Sequence, residues 1–471
     1  MYFGGKIISG FWEKETIMKS GYIQDFTKGN ITSQLIRFST PLFLSSLLQV
    51  VYNMVDMIIV GHKLGEVGLS AVSVGGDVTN FMTLIAMGFA NAGQVIIAQY
   101  IGAGHKDRIG KFVSTMFSFL TAVSIIISAV ALVLREPILL KMNTPEASYS
   151  QALAYSTVCM CGLFFIYGYN MVSAVLRGLG DSKHPFVFIS IAAVLNIILD
   201  VIFVLVLNMG AGGAALATVI SQGVSFISCS VFLVKKRERF GFEVKPIDFI
   251  KIDFKMLFDL LKLGAPMAIK SASISFSKIF VNSYLNGFGT TVSAFAGVAN
   301  KLASIANLVS NSLNSAGSTM VGQNIGAGEY KRVPKIFMRV FAISLGISVI
   351  LSAVLCLFPE TVFSIFTSGE DKVKVLEVAM AYIPIGVLMF FGSAFRSPAN
   401  ALLNGSGNYK INFATAIFDG IILRIGLSYL FGVVLDGGYL GFFLGDALAG
   451  FTPFWIGTVF YLSGKWKTKV R

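Results

Sequence analysis

Long apolar segments restrict what this sequence can fold into. Twelve of them recur along the chain, and at about 20 residues or more each can cross a hydrocarbon core of about 30 Å. Only 13% of the residues are charged and 55% are hydrophobic, whereas soluble domains are about 25% charged. The sequence therefore predicts an all-α membrane protein with twelve transmembrane helices. Segments one to twelve are 34–61, 68–101, 110–134, 149–176, 185–208, 212–234, 256–286, 291–325, 333–358, 375–403, 411–435 and 439–462.

The basic residues predict the orientation of these segments. With the N-terminus inside, 22 Lys and Arg residues lie on the cytoplasmic side, five on the outer side and ten within segments. Positive charge is retained on the cytoplasmic side of membrane proteins. We therefore expect a multi-pass protein of the cell inner (cytoplasmic) membrane with both termini in the cytoplasm, lipid around it and a monomeric state. The net charge of +13 is explained by topology, so nucleic acid is not expected as a partner.

The chain contains an internal repeat. "QYIGAGHKDR" (99–108) recurs as "QNIGAGEYKR" (323–332), "LRGLGDSKHP" (176–185) recurs as "LNGSGNYKIN" (403–412), and Pro41 matches Pro266 at a nearly constant offset. Each half holds six segments, so both halves enter the membrane in the same orientation. We expect two six-helix lobes related by a pseudo-two-fold axis along the membrane normal, with a substrate cavity between them.

The repeat also predicts the division of the chain. We expect a cytoplasmic N-terminal segment, a first lobe, a basic cytoplasmic linker, a second lobe and a basic cytoplasmic tail. Their predicted bounds are 1–33, 34–235, 236–255, 256–465 and 466–471.

Four motifs resemble one transporter family. "VYNMVDMIIVG" in segment one, "QYIGAG" after segment two, "RGLGD" after segment four and "ATVISQ" in segment six are similar to the multidrug and toxic compound extrusion (MATE) family. The resemblance covers essentially the whole chain from about residue 20. It implies a transporter that is not an enzyme, which exports amphiphilic organic compounds by alternating access. It also implies coupling to H⁺ or Na⁺, with no permanently bound cofactor.

Segments one, five and six carry polar residues at similar depths. Asn196 and Asp200 are four residues apart and share a helix face. At the helical rise, Asp200 lies about 12 Å below the outer end of its segment, Asp56 about 7 Å and Thr218 about 9 Å. Buried carboxylates need partners, so we expect these four residues to form a cluster.

The predicted cluster suits a small cation. Two carboxylates in a low-dielectric pocket cannot both ionise cheaply, so the pair can hold a proton, or Na⁺ with hydroxyl, amide and carbonyl oxygens. The pattern is similar to that of DinF-like and archaeal MATE proteins. This resemblance implies that Asp56, Asn196, Asp200 and Thr218 couple transport to the cation, and bind the metal if it is Na⁺. The alternative is that they form only structural interhelical hydrogen bonds.

The second lobe departs from a family pattern. NorM-like relatives carry acidic cation ligands in helices seven and ten, whereas here segment seven contains Lys270 and Lys278 and segment ten contains Arg396. Coupling by the second lobe is therefore not expected, and Lys278 and Arg396 are candidate cavity residues. Lys278 lies about 12 Å below the outer end of its segment. A cation at that depth predicts a functional or ion-paired role, and we expect an acid such as Asp419 or Asp446 as its partner.

Pro41 interrupts the backbone hydrogen bonds of segment one and should bend it. The resemblance implies that such a bend takes part in the transport cycle, and a static kink is the alternative.

Other functions fit the sequence less well. A lipid-linked saccharide flippase of the related superfamily is the main alternative, favoured by cations in the second lobe and disfavoured by the count of twelve segments. No His lies mid-span to serve an intramembrane enzyme, and no G-x-x-x-x-G-K-[ST] loop is present to bind ATP.

Overall fold

The computed structural model of the chain describes residues 24–243, 245–364 and 372–467, which contain helices and turns but no strand. The all-α prediction is confirmed. Positions 1–23 of the predicted N-terminal segment and positions 468–471 of the predicted tail lie outside the described residues.

Segments one and two form a single helical stretch, Ile31–Ala103, which breaks at Gly65. Gly65 has φ 60° and ψ −145°, a backbone conformation open to glycine because it has no Cβ. The break separates two passes, 31–64 and 66–103. The other first-lobe helices are Lys106–Lys141, Glu146–Cys161, Leu163–Gly178, Lys183–Asp200 with a π-helical extension Val201–Val206, and Gly210–Lys235.

The second lobe repeats the arrangement. Short helices Arg237–Phe240 and Pro246–Phe249 lie in the linker, and Pro359–Ser364 follows segment nine. The longer helices are Phe254–Asn286, Thr290–Gly326, Val333–Leu357, Lys372–Gly405, Tyr409–Ile417, Leu423–Tyr429, Gly438–Ala449 and Thr452–Leu462, with π-helical turns at Phe418–Ile422 and Leu430–Val434.

Nine helices in the described ranges are long and apolar enough to cross a membrane, or ten if the pair Glu146–Cys161 and Leu163–Gly178, bent by 51°, is one span. Ile31–Ala103 supplies two passes, which makes eleven. Phe254–Asn286 supplies the twelfth: its 33 residues are about 50 Å long at the helical rise, although Lys270 and Lys278 reduce its apolar character. The passes thus agree with the predicted twelve.

Segments one and seven each pack onto the opposite lobe. Phe38 and Leu42 at the start of segment one join a core with Leu313 and Met320 of segment eight. Leu263, near the start of segment seven, lies with neighbouring residues in the core of the first lobe. This reciprocal exchange follows from the internal repeat.

The duplicated Gly-Ala-Gly motifs lie against each other where the lobes meet. A Cβ atom on Gly102 would lie 1.9 Å from the carbonyl oxygen of Gln323, and one on Gly326 would lie 2.2 Å from that of Gln99. Gln99 Nε2 also donates to the carbonyl oxygen of Gly405 at 3.0 Å. Glycine is required at both positions because the backbones touch.

A second set of interlobe bonds lies nearby. Gln94 Nε2 donates to Thr319 Oγ1 at 2.7 Å and to Ser315 Oγ at 3.0 Å. The fully buried Phe26 donates its backbone N–H to Gln323 Oε1 at 3.0 Å. The chain before segment one is thereby fastened to the second lobe beside the glycine contact.

Asp253 fixes the start of segment seven. Its carboxylate accepts from the backbone N–H groups of Lys255 at 2.9 Å and Met256 at 3.1 Å, and pairs with Lys111 Nζ at 3.0 Å. These bonds hold the pKa of Asp253 below its usual value. We expect Asp253→Ala to lower the free energy of unfolding by about 1 kcal/mol, as for loss of an N-cap.

The expected loss depends on pH. Because the folded pKa of Asp253 is depressed, its contribution is fully present above the unfolded value of about 3.9 and is lost as pH falls through the folded value. Thermal unfolding of both proteins in detergent at neutral and acidic pH measures this. The difference should shrink in acid, and equal stability at neutral pH would show that the cap contributes nothing.

Candidate cation site in the first lobe

The structure places the four predicted cluster residues together. Thr218 Oγ1 donates to Asp56 Oδ2 at 3.3 Å, and Asn196 Nδ2 donates to Thr218 Oγ1 at 3.5 Å. Asp56 and Asp200 lie close enough for their carboxyl groups to interact electrostatically. Three helices therefore converge through one chain of polar contacts.

The local sequence explains how segment five contributes. Asn196 and Asp200 lie on one face because four residues make just over one helical turn. Asp200 is the last α-helical residue before the π-helical stretch Val201–Val206, where the N–H of Leu207 bonds to the carbonyl of Ile202, five residues earlier. Such local widening is frequent at functional sites.

Three of the four cluster residues are almost sealed from solvent, and Thr218 is partly buried. The exposed fractions are 4% for Asp56, 1% for Asn196 and 0% for Asp200. With both carboxylates ionised, neither oxygen of Asp200 has a hydrogen-bond donor, and Oδ1 of Asp56 and of Asn196 also lack one. Buried oxygens without partners are costly. A proton between the two carboxyl groups, or a cation among these oxygens, would satisfy them.

A small pocket lined in part by Tyr52, Asn196, Thr218 and Gln222 adjoins the cluster. Gln222 Nε2 donates to Tyr52 Oη at 3.2 Å across it, and Ser221 adds a buried hydroxyl without a partner. None of the three residues Tyr52, Ser221 and Gln222 was predicted from the sequence. A signal was present for two of them, because Tyr52 precedes Asp56 by four residues and Gln222 follows Thr218 by four.

The donor set favours a monovalent cation over a transition metal. In the described ranges, no three His, Cys, Asp or Glu side chains converge as potential metal ligands. Two carboxyl groups with neutral amide and hydroxyl oxygens remain, which suit a proton or Na⁺.

The second-lobe candidates lie in a separate network. Asp419 Oδ1 accepts from Arg396 Nη2 at 3.3 Å and from Arg424 Nη2 at 3.2 Å. Arg424 also pairs with Asp446. Lys278 lies within electrostatic range of Asp446 but forms no direct ion pair with either acid in the described structure. Arg424 makes the direct ion pairs, because it lies five residues after Asp419 and reaches both carboxylates.

Pro41 lies inside Ile31–Ala103, and the only non-helical backbone recorded in that stretch is at Gly65. Ser45 Oγ donates to the Pro41 carbonyl oxygen at 2.8 Å. The role of Pro41 in a conformational change stays a prediction.

Comparison with known proteins identifies the family. Residues 41–202 and 266–430 match the MatE family, and the two matches begin at Pro41 and Pro266, which are equivalent positions of the internal repeat. The chain belongs to the MatE family. It is 32% identical over 424 residues to the Probable multidrug resistance protein YpnP of Bacillus subtilis (strain 168), covering 86% of this chain and 94% of the relative.

Solved MatE structures share the fold. A MOP superfamily transporter from Pyrococcus furiosus superposes with a TM-score of 0.86 at 23% identity, over 96% of this chain and 100% of that one. A multidrug resistance MATE family transporter in an outward-facing conformation gives 0.85 at 23% identity, over 95% and 100%. The two-lobe architecture of twelve helices is thereby confirmed. MatE proteins are transporters rather than enzymes, and the named relatives do not favour the flippase alternative.

Proposed function

We propose that this MatE protein is a cation-coupled antiporter that exports amphiphilic organic compounds, as drugs or toxic metabolites, across the cytoplasmic membrane. Asp56, Asn196, Asp200 and Thr218 are the proposed coupling site. The observation that carries the proposal is the buried pair Asp56 and Asp200, in which three of the four carboxylate oxygens have no hydrogen-bond partner in the described structure. The multidrug resistance relatives support the class of substrate.

The site suggests how the cation alters the first lobe. Cation binding removes the repulsion between the carboxylates of Asp56 and Asp200 and draws segments one and five together. Thr218 transmits the change to segment six because it bonds both Asp56 and Asn196. Release of the cation restores two adjacent negative charges and favours the looser arrangement. The cation can shift the equilibrium between the two arrangements only because it binds one of them more tightly than the other.

Alternating access requires that the closed side of the transporter can open. The contacts of Gly102 with Gln323 and of Gly326 with Gln99, together with the bonds of Gln94, support a closed cytoplasmic side in the orientation predicted from the basic residues. Opening that side breaks this compact set of contacts. Pro41 lies on the helix that carries Asp56, and its missing hydrogen bond makes a bend there inexpensive.

The expected environment follows from the same proposal. Both termini face the cytoplasm, the protein acts as a monomer surrounded by lipid, and it needs no permanently bound cofactor. Small amphiphilic molecules are its partners.

H⁺ is the proposed coupling ion. Asp56 and Asp200 need no further ligand to share a proton, whereas Na⁺ needs several additional oxygens, and the second lobe lacks the acids on segments seven and ten that NorM-like relatives use. We expect a proton gradient alone to drive efflux of a fluorescent cationic dye from vesicles containing the purified protein. A Na⁺ gradient at equal pH on both faces should give only the rate of protein-free vesicles.

The control for ion identity replaces Na⁺ by K⁺ at fixed pH. Efflux that follows the Na⁺ gradient and vanishes in K⁺ would exclude the proton and leave the site as a Na⁺ site. Absence of efflux under either gradient would refute the proposed antiport.

A further inference from the structure

A cluster of charged side chains lies within the second lobe, apart from the proposed coupling site. Four helices supply it: segments seven, ten, eleven and twelve. The members are Lys270, Lys278, Arg396, Asp419, Arg424 and Asp446.

The cluster has more positive than negative charge. Four cations face two carboxylates, which leaves a formal excess of two positive charges. Lys270 Nζ donates to the neutral amide oxygen of Asn400 at 2.6 Å and forms no ion pair with either carboxylate of the cluster in the described structure. Lys278 interacts with Asp446 only at longer range. Unbalanced cations inside a membrane protein are costly and mark functional sites.

The cluster has a rigid base and an accessible edge. Asp419 is fully buried and accepts from both Arg396 and Arg424, and Arg396 Nε also donates to the Gly450 carbonyl at 3.4 Å. These bonds orient the guanidinium of Arg396, whose side chain remains 18% exposed, while Asp446 remains 29% exposed. An oriented guanidinium beside ammonium groups suits an oxyanion such as a carboxylate or phosphate.

The internal repeat shows that this is not a second coupling site. When Pro41 is aligned with Pro266, Val281 occupies the position of Asp56, and Lys278 occupies that of Asn53. When "LRGLGDSKHP" is aligned with "LNGSGNYKIN", Leu427 occupies the position of Asp200. The second lobe therefore carries apolar residues where the first carries its carboxylates, and a cation one turn away. The two lobes differ in charge at these equivalent positions.

We infer that Lys270, Lys278 and Arg396 form a subsite for the anionic group of the exported compound. The substrates then include acidic or zwitterionic amphiphiles, in addition to purely cationic ones. The inference rests on the proposed function for export, whereas binding of the oxyanion can be measured without any gradient.

A matched pair of dyes tests the subsite. A rhodamine free acid and its methyl ester share one cationic ring system, and only the free acid carries a carboxylate. Binding of each dye to the purified full-length protein in phosphatidylcholine nanodiscs is followed by fluorescence anisotropy. We expect the wild-type protein to bind the free acid more tightly than the ester.

The double variant Lys270→Gln/Lys278→Gln should lose about tenfold or more in affinity for the free acid, as expected for loss of hydrogen bonds to a charged group. Its affinity for the ester should stay near the wild-type value. Lys262→Gln is the control, because it removes a positive charge from the same helix. Lys262 lies 4.1 Å from the centre of the Phe258 ring, and its replacement should leave the affinities for both dyes unchanged. Lys278→Arg, which keeps the charge, should retain binding of the free acid.

Two results would overturn the inference: a free acid that the wild-type protein binds no better than the ester, or a ratio of the two affinities that is the same in the double variant as in the wild-type protein. Competition by added phosphatidylglycerol, which assigns the oxyanion to a lipid headgroup, would overturn it as well. Dye binding without efflux under any gradient refutes the antiport and leaves the subsite intact.

Discussion

Replacing Asp200 by asparagine is expected to reduce gradient-driven dye efflux to the rate of protein-free vesicles, with the protein still folded and inserted. Asparagine has nearly the shape of aspartate but can neither hold a proton nor carry the charge that binds a cation. Asp200 is fully buried, so no solvent-exposed group can take over the role of its carboxylate. The hydrogen bond between Thr218 and Asp56 remains and still joins segments one and six. Asp56→Asn should have the same effect, because the pair acts as one unit.

Asp436→Asn is the matched control for both variants. Asp436 is exposed and has a φ of 52°, a left-handed conformation that asparagine also adopts. Its efflux should equal that of the wild-type protein. Elution as a single peak in size-exclusion chromatography checks that each variant is folded, and near wild-type efflux in both Asp56→Asn and Asp200→Asn would exclude the cluster as the coupling site.

Adding a single methyl group at the interlobe contact is expected to disable the transport cycle. The Cβ of Gly102→Ala would lie 1.9 Å from the backbone carbonyl oxygen of Gln323, so the two backbones must separate. Overpacking of this kind costs about 1–3 kcal/mol, and about 1.4 kcal/mol corresponds to about tenfold in an equilibrium. We expect efflux to fall about tenfold or more because the closed cytoplasmic side becomes unstable.

The conformational part of this prediction can be measured directly. Ser315→Cys, in a background without the four native cysteines, places a thiol beside Gln94 at the contact. An impermeant thiol reagent applied from the cytoplasmic side should label it faster when Gly102→Ala is also present.

Gly76→Ala is the control for the glycine prediction. A Cβ on Gly76 meets nothing within 4 Å, and alanine is the better helix former, so efflux and labelling should be unchanged. Wild-type efflux together with unchanged protection of Ser315→Cys in the Gly102→Ala protein would contradict the proposed closure.

The first-lobe cluster could be predicted from sequence because regular helices fix depth and face. The rise per residue placed Asp56, Asp200 and Thr218 at similar heights, and the four-residue spacing placed Asn196 beside Asp200. A charged residue inside an apolar segment has few ways to be satisfied, which left convergence as the best solution. The same spacing rule would have found Tyr52 and Gln222 if it had been applied to neutral residues.

The second-lobe contacts could not be predicted in the same way. Depth alone suggested that Lys278 would pair with Asp419 or Asp446, but pairing also depends on the rotation of each helix, and Arg424 faces both acids. The backbone contact between Gly102 and Gln323 joins segments that are far apart in the sequence. The only feature of the sequence that pointed to this contact was the duplicated Gly-Ala-Gly motif, and such a motif is equally expected where two helices simply end.

The most direct measurement counts the cations displaced when substrate binds. Calorimetric titration of the purified protein with substrate, in buffers of different ionisation enthalpy, gives the number of protons released, and displacement of radioactive Na⁺ gives the corresponding number for sodium. Substrate binding to the wild-type protein should release protons, and the Asp200→Asn protein should bind the substrate without releasing any. Equal release from both proteins would contradict coupling through the cluster of Asp56, Asn196, Asp200 and Thr218.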